Sequence, residues 1–178
     1  MYRDNTLIPT EATRLAALGM LAERPRRYGD LAKEVRQFAS RITGPSLDIL
    51  GTSIELLRYE GLVEPVDGSG MHDNALIRIT EAGRAALKEL LCSNVRTPVD
   101  GINRLIVALK MRHLHLLDAD ARRDQVDVLI EMSETELARL RDLRADDGGE
   151  GYLRAWLDHD IGQVETRLGW LKGFRERV

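Results

Sequence analysis

Apolar residues recur at helical spacing along most of the chain, and the breaks in that rhythm mark the joints. In "IPTEATRLAALGMLAERP" the side chains of Leu15, Leu18 and Leu21 fall on one side. Thr10 after Pro9 is placed as an N-cap, and Pro25 ends the helix. "YGDLAKEVRQFA" predicts a second helix with Leu31, Val35 and Phe38 on one side. "ITGPS" breaks the chain, and Ser46 is positioned to cap a third helix from about Leu47 to Glu60. Its apolar stripe is Leu47, Leu50, Ile54 and Leu57, and Gly61 stands where a C′ glycine belongs. The period then changes: "LVEPV" and "ALIRIT" alternate like two strands of a hairpin joined by "DGSGMHDN". Thr80, with Glu81 in the first turn, opens a fourth helix.

The second half has a different character. From Val99 to Val178 there is no proline and little that reads as strand. "INRLIVALKMRHLHLL", "ADARRDQVDVLIEMSETELARLRDLR" and "YLRAWLDHDIGQVETRLGWLKGFRERV" each predict a helix, with "ADDGGEG" as the loop before the last. In that last helix Leu153, Leu157, Ile161, Val164, Leu168 and Leu171 step by four, four, three, four and three. Such a heptad seam is expected to form a dimer interface. "VRTPVDG" is the expected junction, giving domains over 1–94 and 95–178. The fold class expected is mainly α: an N-terminal winged helix-turn-helix with a two-stranded wing, then a C-terminal antiparallel helical domain.

The geometric reason for the winged helix is short. A third helix that packs its apolar stripe on two others leaves its remaining face to solvent, and a hairpin beside it serves as a wing. The width of a DNA major groove admits one such helix.

Composition narrows the setting. Of 178 residues, 43% are apolar, 31% charged and 4% aromatic, which suits an exposed helical protein. The formal net charge is -3, so bulk positive charge is not the means of gripping a partner. Cys92 is the one cysteine, so no disulfide forms within the chain and a reducing compartment is expected. No stretch approaches ~18 consecutive apolar residues, and "MYRDNTLIPTEA" has no apolar core of a signal peptide. A soluble cytoplasmic protein with no membrane association is expected.

Three stretches carry a resemblance. "ALGMLAERPRRYGDLAKEV", "IELLRYEGLVEP" and "IRITEAGRAAL", followed by "RLIVALKMRHLHLL", "ETELARLRDL" and a final helix with "WL", resemble PadR-family transcriptional regulators over nearly the whole chain. The resemblance implies a homodimeric repressor that binds palindromic double-stranded DNA and is released by a small-molecule effector.

Some positions depart from that family. Where members usually carry a Tyr followed by a Pro in the recognition helix, this chain has Gly51 and Thr52. The expected wing tip carries Asp67 and Asp73 and no Lys or Arg. Residues 1–92 hold 12 basic and 13 acidic side chains, so the region lacks an overall basic footprint. Local placement is then expected to serve. Arg26, Arg27, Tyr28, Lys33, Arg36 and Arg41 lie around the second helix, where contacts to phosphate position a protein without reading sequence. Base reading falls to Ser46, Ile49, Thr52 and Ser53, with His72 and Asn74 as the DNA contacts of the wing. Asp48 reads as a partner of the helix dipole.

Other candidates have plain readings beside the functional ones. "RPRR" is a phosphate clamp or a solvated turn. His113 and His115, two residues apart, face different sides of a helix, so no metal site is expected. Cys92 reads as a small hydrophobe rather than a redox sensor, and His159 as a surface group. Trp156 and Trp170 share a face; they pack in the core or at a dimer contact, or line an effector pocket. No Gly-rich phosphate loop, CxxC or HExxH occurs, so neither an enzyme nor a cofactor is expected. Two function classes remain: a ligand-responsive DNA-binding dimer, and a winged-helix module that has lost DNA and binds a protein.

Overall fold

A computed structural model of the chain describes residues 7, 9–44, 53–66, 74–95, 99, 101–146 and 151–178. It is mainly helical with one small three-stranded antiparallel sheet. Two compact units divide the chain: Met1–Asn94 with Val99–Leu117, and Val95–Pro98 with Asp118–Val178.

In the first unit α1 (Pro9–Glu23) is the central element. It touches α2 (Tyr28–Thr43), α3 (Ser53–Tyr59), α4 (Glu81–Cys92), α5 (Gly101–His113) and a strand of the sheet. That is why its "LAALGML" run is apolar all round: Leu15, Ala16, Ala17, Leu18, Met20 and Leu21 are all buried. The helix starts at Pro9, so Thr10 lies inside its first turn rather than at its cap. α2 turns Leu31, Val35 and Ala39 inward, with Phe38 half-buried under the Arg112 guanidinium at 5.0 Å.

α3 ends as its glycine dictates. Gly61 has φ 71, the left-handed region. Leu62 N–H donates to Leu57 C=O (2.8 Å) and Gly61 N–H to Arg58 C=O (2.9 Å), the paired bonds of a Schellman motif. The chain then enters β2 (Val63–Pro65) and returns as β3 (Leu76–Ile79), with Glu64 opposite Arg78. The residues between, 67–73, lie outside the description, as do 45–52.

The expected two-stranded hairpin is a three-stranded sheet. β1 (Arg26–Arg27) pairs with the other edge of β3, giving the order β1-β3-β2. Two residues carry no readable period, so the strand exists only because β3 offers it a free edge.

Thr80 and Gly83 explain why "IRITEAG" reads as it does. The Thr80 hydroxyl donates to Gly61 C=O (2.7 Å) and accepts from Gly83 N–H (3.0 Å), so one side chain joins the end of α3 to the start of α4. A Cβ on Gly83 would sit 2.1 Å from the Leu62 carbonyl oxygen, so only glycine allows this approach.

α5 follows the expected junction at 94/95 but packs on α1 and α2, within the first unit. Leu105, Ile106, Leu109 and His113 form its buried face, and Gly19 of α1 lies against the His113 ring. A short 3-10 turn, η1 (Leu114–Leu116), completes the unit.

In the second unit α6 (Ala119–Asp146) and α7 (Leu153–Arg175) pack as a hairpin. Its antiparallel register is visible in five ion pairs: Asp127–Arg175, Glu134–Lys172, Glu136–Arg167, Arg141–Glu165 and Arg144–Asp158. Four are on the surface and each contributes little stability, whereas Glu136–Arg167 is part-buried; together they fix the register. The expected dimer seam is partly used here. Leu157, Val164 and Leu171, seven residues apart, are buried by the chain's own α6, whose Val126, Leu129, Ser133 and Leu137 form the facing stripe. Ile161 and Leu168 are half-buried and Leu153 is exposed.

Candidate nucleic-acid interface

The exposed side of the first unit is built on α2, α3 and the sheet. The alternation of β1 separates its two arginines. Arg26 is turned inward and is 8% exposed. Its Nε donates to Met20 C=O (3.1 Å), and its two terminal nitrogens reach Glu34 (2.5 Å) and Glu23 (3.0 Å). The guanidinium is thus committed to joining α1 to α2. Of the cations expected to touch phosphate, Arg26 is the one that strand alternation turns inward, where it is buried between two carboxylates.

Arg27 points the other way. It is exposed, and one terminal nitrogen donates to the Asn74 carbonyl at 3.3 Å. Tyr28, half-buried, ties its own N–H to Ala75 C=O at 3.0 Å. The start of α2 is therefore stitched to the base of the β2–β3 hairpin. Lys33, Arg36 and Arg41 are exposed along α2 and form no ion pair with another described residue. Arg78 on β3 pairs with Glu64 at 2.8 Å and is neutralised by it.

α3 presents an unusual outer face. Ile54 and Leu57 are buried, while Glu55, Leu56, Arg58 and Tyr59 are exposed, Tyr59 at 87%. Its C-terminal end is anchored by Arg14 of α1, which grips the Glu60 carboxylate with both terminal nitrogens, one bond measuring 2.8 Å. A helix held at one end with its far face exposed can enter a groove without losing its packing.

Of the base-reading candidates, Ser46, Ile49 and Thr52 lie outside the described residues, as does His72; Ser53 opens α3, its side chain outside the description. Asn74 is exposed, and its backbone carbonyl is the group in use. Leu56, Arg58 and Tyr59 are further exposed side chains of α3, outside the expected base-reading set. Continuing the outward series from Thr52 by four and seven residues reaches Leu56 and Tyr59, so the signal was present.

The remaining candidates are dispersed. His113 is wholly buried whereas His115 is exposed, bonded through Nδ1 to Arg112 C=O at 3.1 Å. Trp156 and Trp170 are 62% and 52% exposed, Trp170 stacked on Phe174 with centroids 5.1 Å apart. Both stand exposed on the surface of α7.

A family model settles the broad class. The family described as "Putative AphA-like transcriptional regulator" matches residues 2–175. The chain belongs to this family. No curated protein matches it. Membership makes the chain a transcriptional regulator by family, and α3 with the α2 cations is its candidate DNA-facing surface. Among the described residues no helix is long and apolar enough to cross a membrane.

Proposed function

We propose that this regulator is a cytoplasmic homodimeric repressor of PadR type, in which the first unit acts as a winged helix-turn-helix on palindromic operator DNA and a small molecule releases it. The observation that carries the reading is the free outer face of α3, in a chain whose family regulates transcription. α3 is the recognition helix, the paired strands β2 and β3 belong to the wing, and Arg27, Lys33, Arg36 and Arg41 reach phosphates on either side. The exposed face of α7, with Leu153, Trp156 and Trp170, supports a dimer contact beyond the buried Leu157–Val164–Leu171 stripe.

A mobility shift with the DNA just upstream of the chain's own coding region tests this, repeated across salt. Affinity should fall linearly in log–log form, and Arg27→Ala or Arg41→Ala should flatten the slope by about one unit each. Thr52→Ala or Ser53→Ala should cost roughly 1–3 kcal/mol on the operator and little on random DNA. A salt-independent shift, or loss of operator preference only on deleting residues 67–73, would refute this placement.

A second reading has its own support. Leu56 and Tyr59 are apolar groups on the same exposed face, and Arg78 is neutralised by Glu64. Those features suit a protein groove better than a phosphate backbone. No DNA binding at low salt, with a protein partner lost on Tyr59→Ala, would favour it.

A further inference from the structure

One face of the three-stranded sheet is open to solvent. Strand alternation turns Arg26, Val63, Ile77 and Ile79 inward and leaves Arg27, Glu64, Leu76 and Arg78 on the outer face. The register sets these outer side chains in two rows. Arg27 stands opposite Leu76, and Val66 N–H donates to Leu76 C=O at 2.8 Å on the other side. Arg78 stands opposite Glu64. Arg27 and Arg78 are therefore diagonal neighbours on β1 and β3, a spacing of roughly 7–8 Å.

The two arginines are held differently. Arg27 gives one terminal nitrogen to the Asn74 carbonyl at 3.3 Å, and among the described residues no carboxylate pairs with it. Arg78 donates from Nε to Glu64 Oε1 at 2.8 Å. Glu64 is the one carboxylate among the residues of the three strands, and it lies on this cation. The side chains of Glu64 and Arg78 are 47% and 55% exposed, so the pair is weak and open to exchange with another anion.

We propose that Glu64 holds Arg78 back from a phosphate track that this sheet face offers to DNA, and so limits the affinity of the regulator for DNA of any sequence. The proposal rests on the DNA reading above and names the residue that tunes it. Carboxylate and phosphate oxygens make the same charge-assisted bond to a guanidinium, so Glu64 and DNA compete for the same donors. With Glu64 in place the face presents one free guanidinium, Arg27, and with Glu64 neutral it presents two. Arg27 is also the residue before α2, whose Lys33, Arg36 and Arg41 are exposed. Contacts of this kind position a protein without reading bases, so the effect is independent of the operator.

Fluorescence anisotropy of a random-sequence DNA duplex, titrated with the full chain at several sodium chloride concentrations, tests it. Glu64→Gln keeps the size of the side chain and removes its charge. It should tighten binding about fivefold, the most that an exposed pair is worth, and steepen the log–log salt dependence by about one unit. Adding Arg78→Ala to Glu64→Gln should return both affinity and slope to the parental values. Both residues lie on the outer face of the sheet, and unchanged circular dichroism verifies that the variants fold. Salt-dependent binding by the parent that Glu64→Gln leaves unaltered overturns the proposal and spares the DNA reading. A gain that survives Arg78→Ala also overturns it, since the carboxylate would then act by repelling DNA directly. Absence of DNA binding by the parent and both variants removes the proposal together with the DNA reading.

Discussion

The sharpest test of the first unit's packing is Gly19→Ala. Gly19 sits in the middle of α1, where alanine is ordinarily the better residue by about 1 kcal/mol. Here the sign should reverse. A Cβ at this position would lie 2.4 Å from His113 Cδ2, 2.5 Å from Nε2 and 2.7 Å from Cγ. The ring cannot swing away, because His113 is completely buried and lies on the inward face of α5 with Ile106 and Leu109. Relief requires α1 and α5 to separate, and overpacking of this kind costs typically 1–3 kcal/mol. Taking the upper end, since the obstacle is a rigid ring, and subtracting the helical gain leaves a net loss of about 2 kcal/mol. Urea unfolding followed by circular dichroism measures it, and the melting temperature should drop by about 4–8 °C for a chain of this size. The companion is His113→Ala, which opens space where the methyl would go. In the double variant the alanine fills part of that space, so the two losses should not add, with a coupling of about 1 kcal/mol or more. Strict additivity, or a Gly19→Ala variant as stable as the parent, would show that the helices do not meet at this pair.

Three further outcomes are expected. Burial drives His113 down to about 4 from 6.5, with Arg112, His115 and Arg26 adding to the effect. The unfolded chain therefore binds the extra proton first, and stability present above pH 6.5 is lost as pH falls toward 4, by about 3 kcal/mol in all. Urea midpoints at pH 7 and 4.5 check this, and a His113→Leu variant that kept the full slope would refute it. Burial likewise lowers Lys110 from 10.5 to about 8, so between those values stability should rise with pH; a Lys110→Met variant should lose that rise, and an unchanged alkaline limb would count against the buried ammonium. For α7, Leu153→Asp with Trp156→Asp should give folded monomers by sedimentation, whereas Leu157→Asp should melt the hairpin itself; a dimeric Leu153/Trp156 variant would exclude that face.

Much of the fold was legible because it is local. The end of α1 before Pro25, the stop of α3 at Gly61 and the start of α4 at Thr80 are each set by one residue's backbone or side-chain chemistry within a few positions. The apolar stripes of α2 and of α4 likewise follow from a period that any helix must obey. The outer face of α3 was also within reach, by extending the Thr52 series to Leu56 and Tyr59.

What only the tertiary structure decided is who meets whom. Arg26 and Arg27 are chemically alike in the sequence, and pairing with β3 makes one a buried link to Glu23 and Glu34 and leaves the other exposed. α5 reads like the helices after it, and packing on α1 and α2 places it in the first unit. A heptad seam states that a helix wants a partner but not which one; in α7 the nearer partner, α6, takes Leu157, Val164 and Leu171. Periodicity fixes the face that must be covered, whereas the cover comes from residues distant in sequence, and no local pattern encodes that distance.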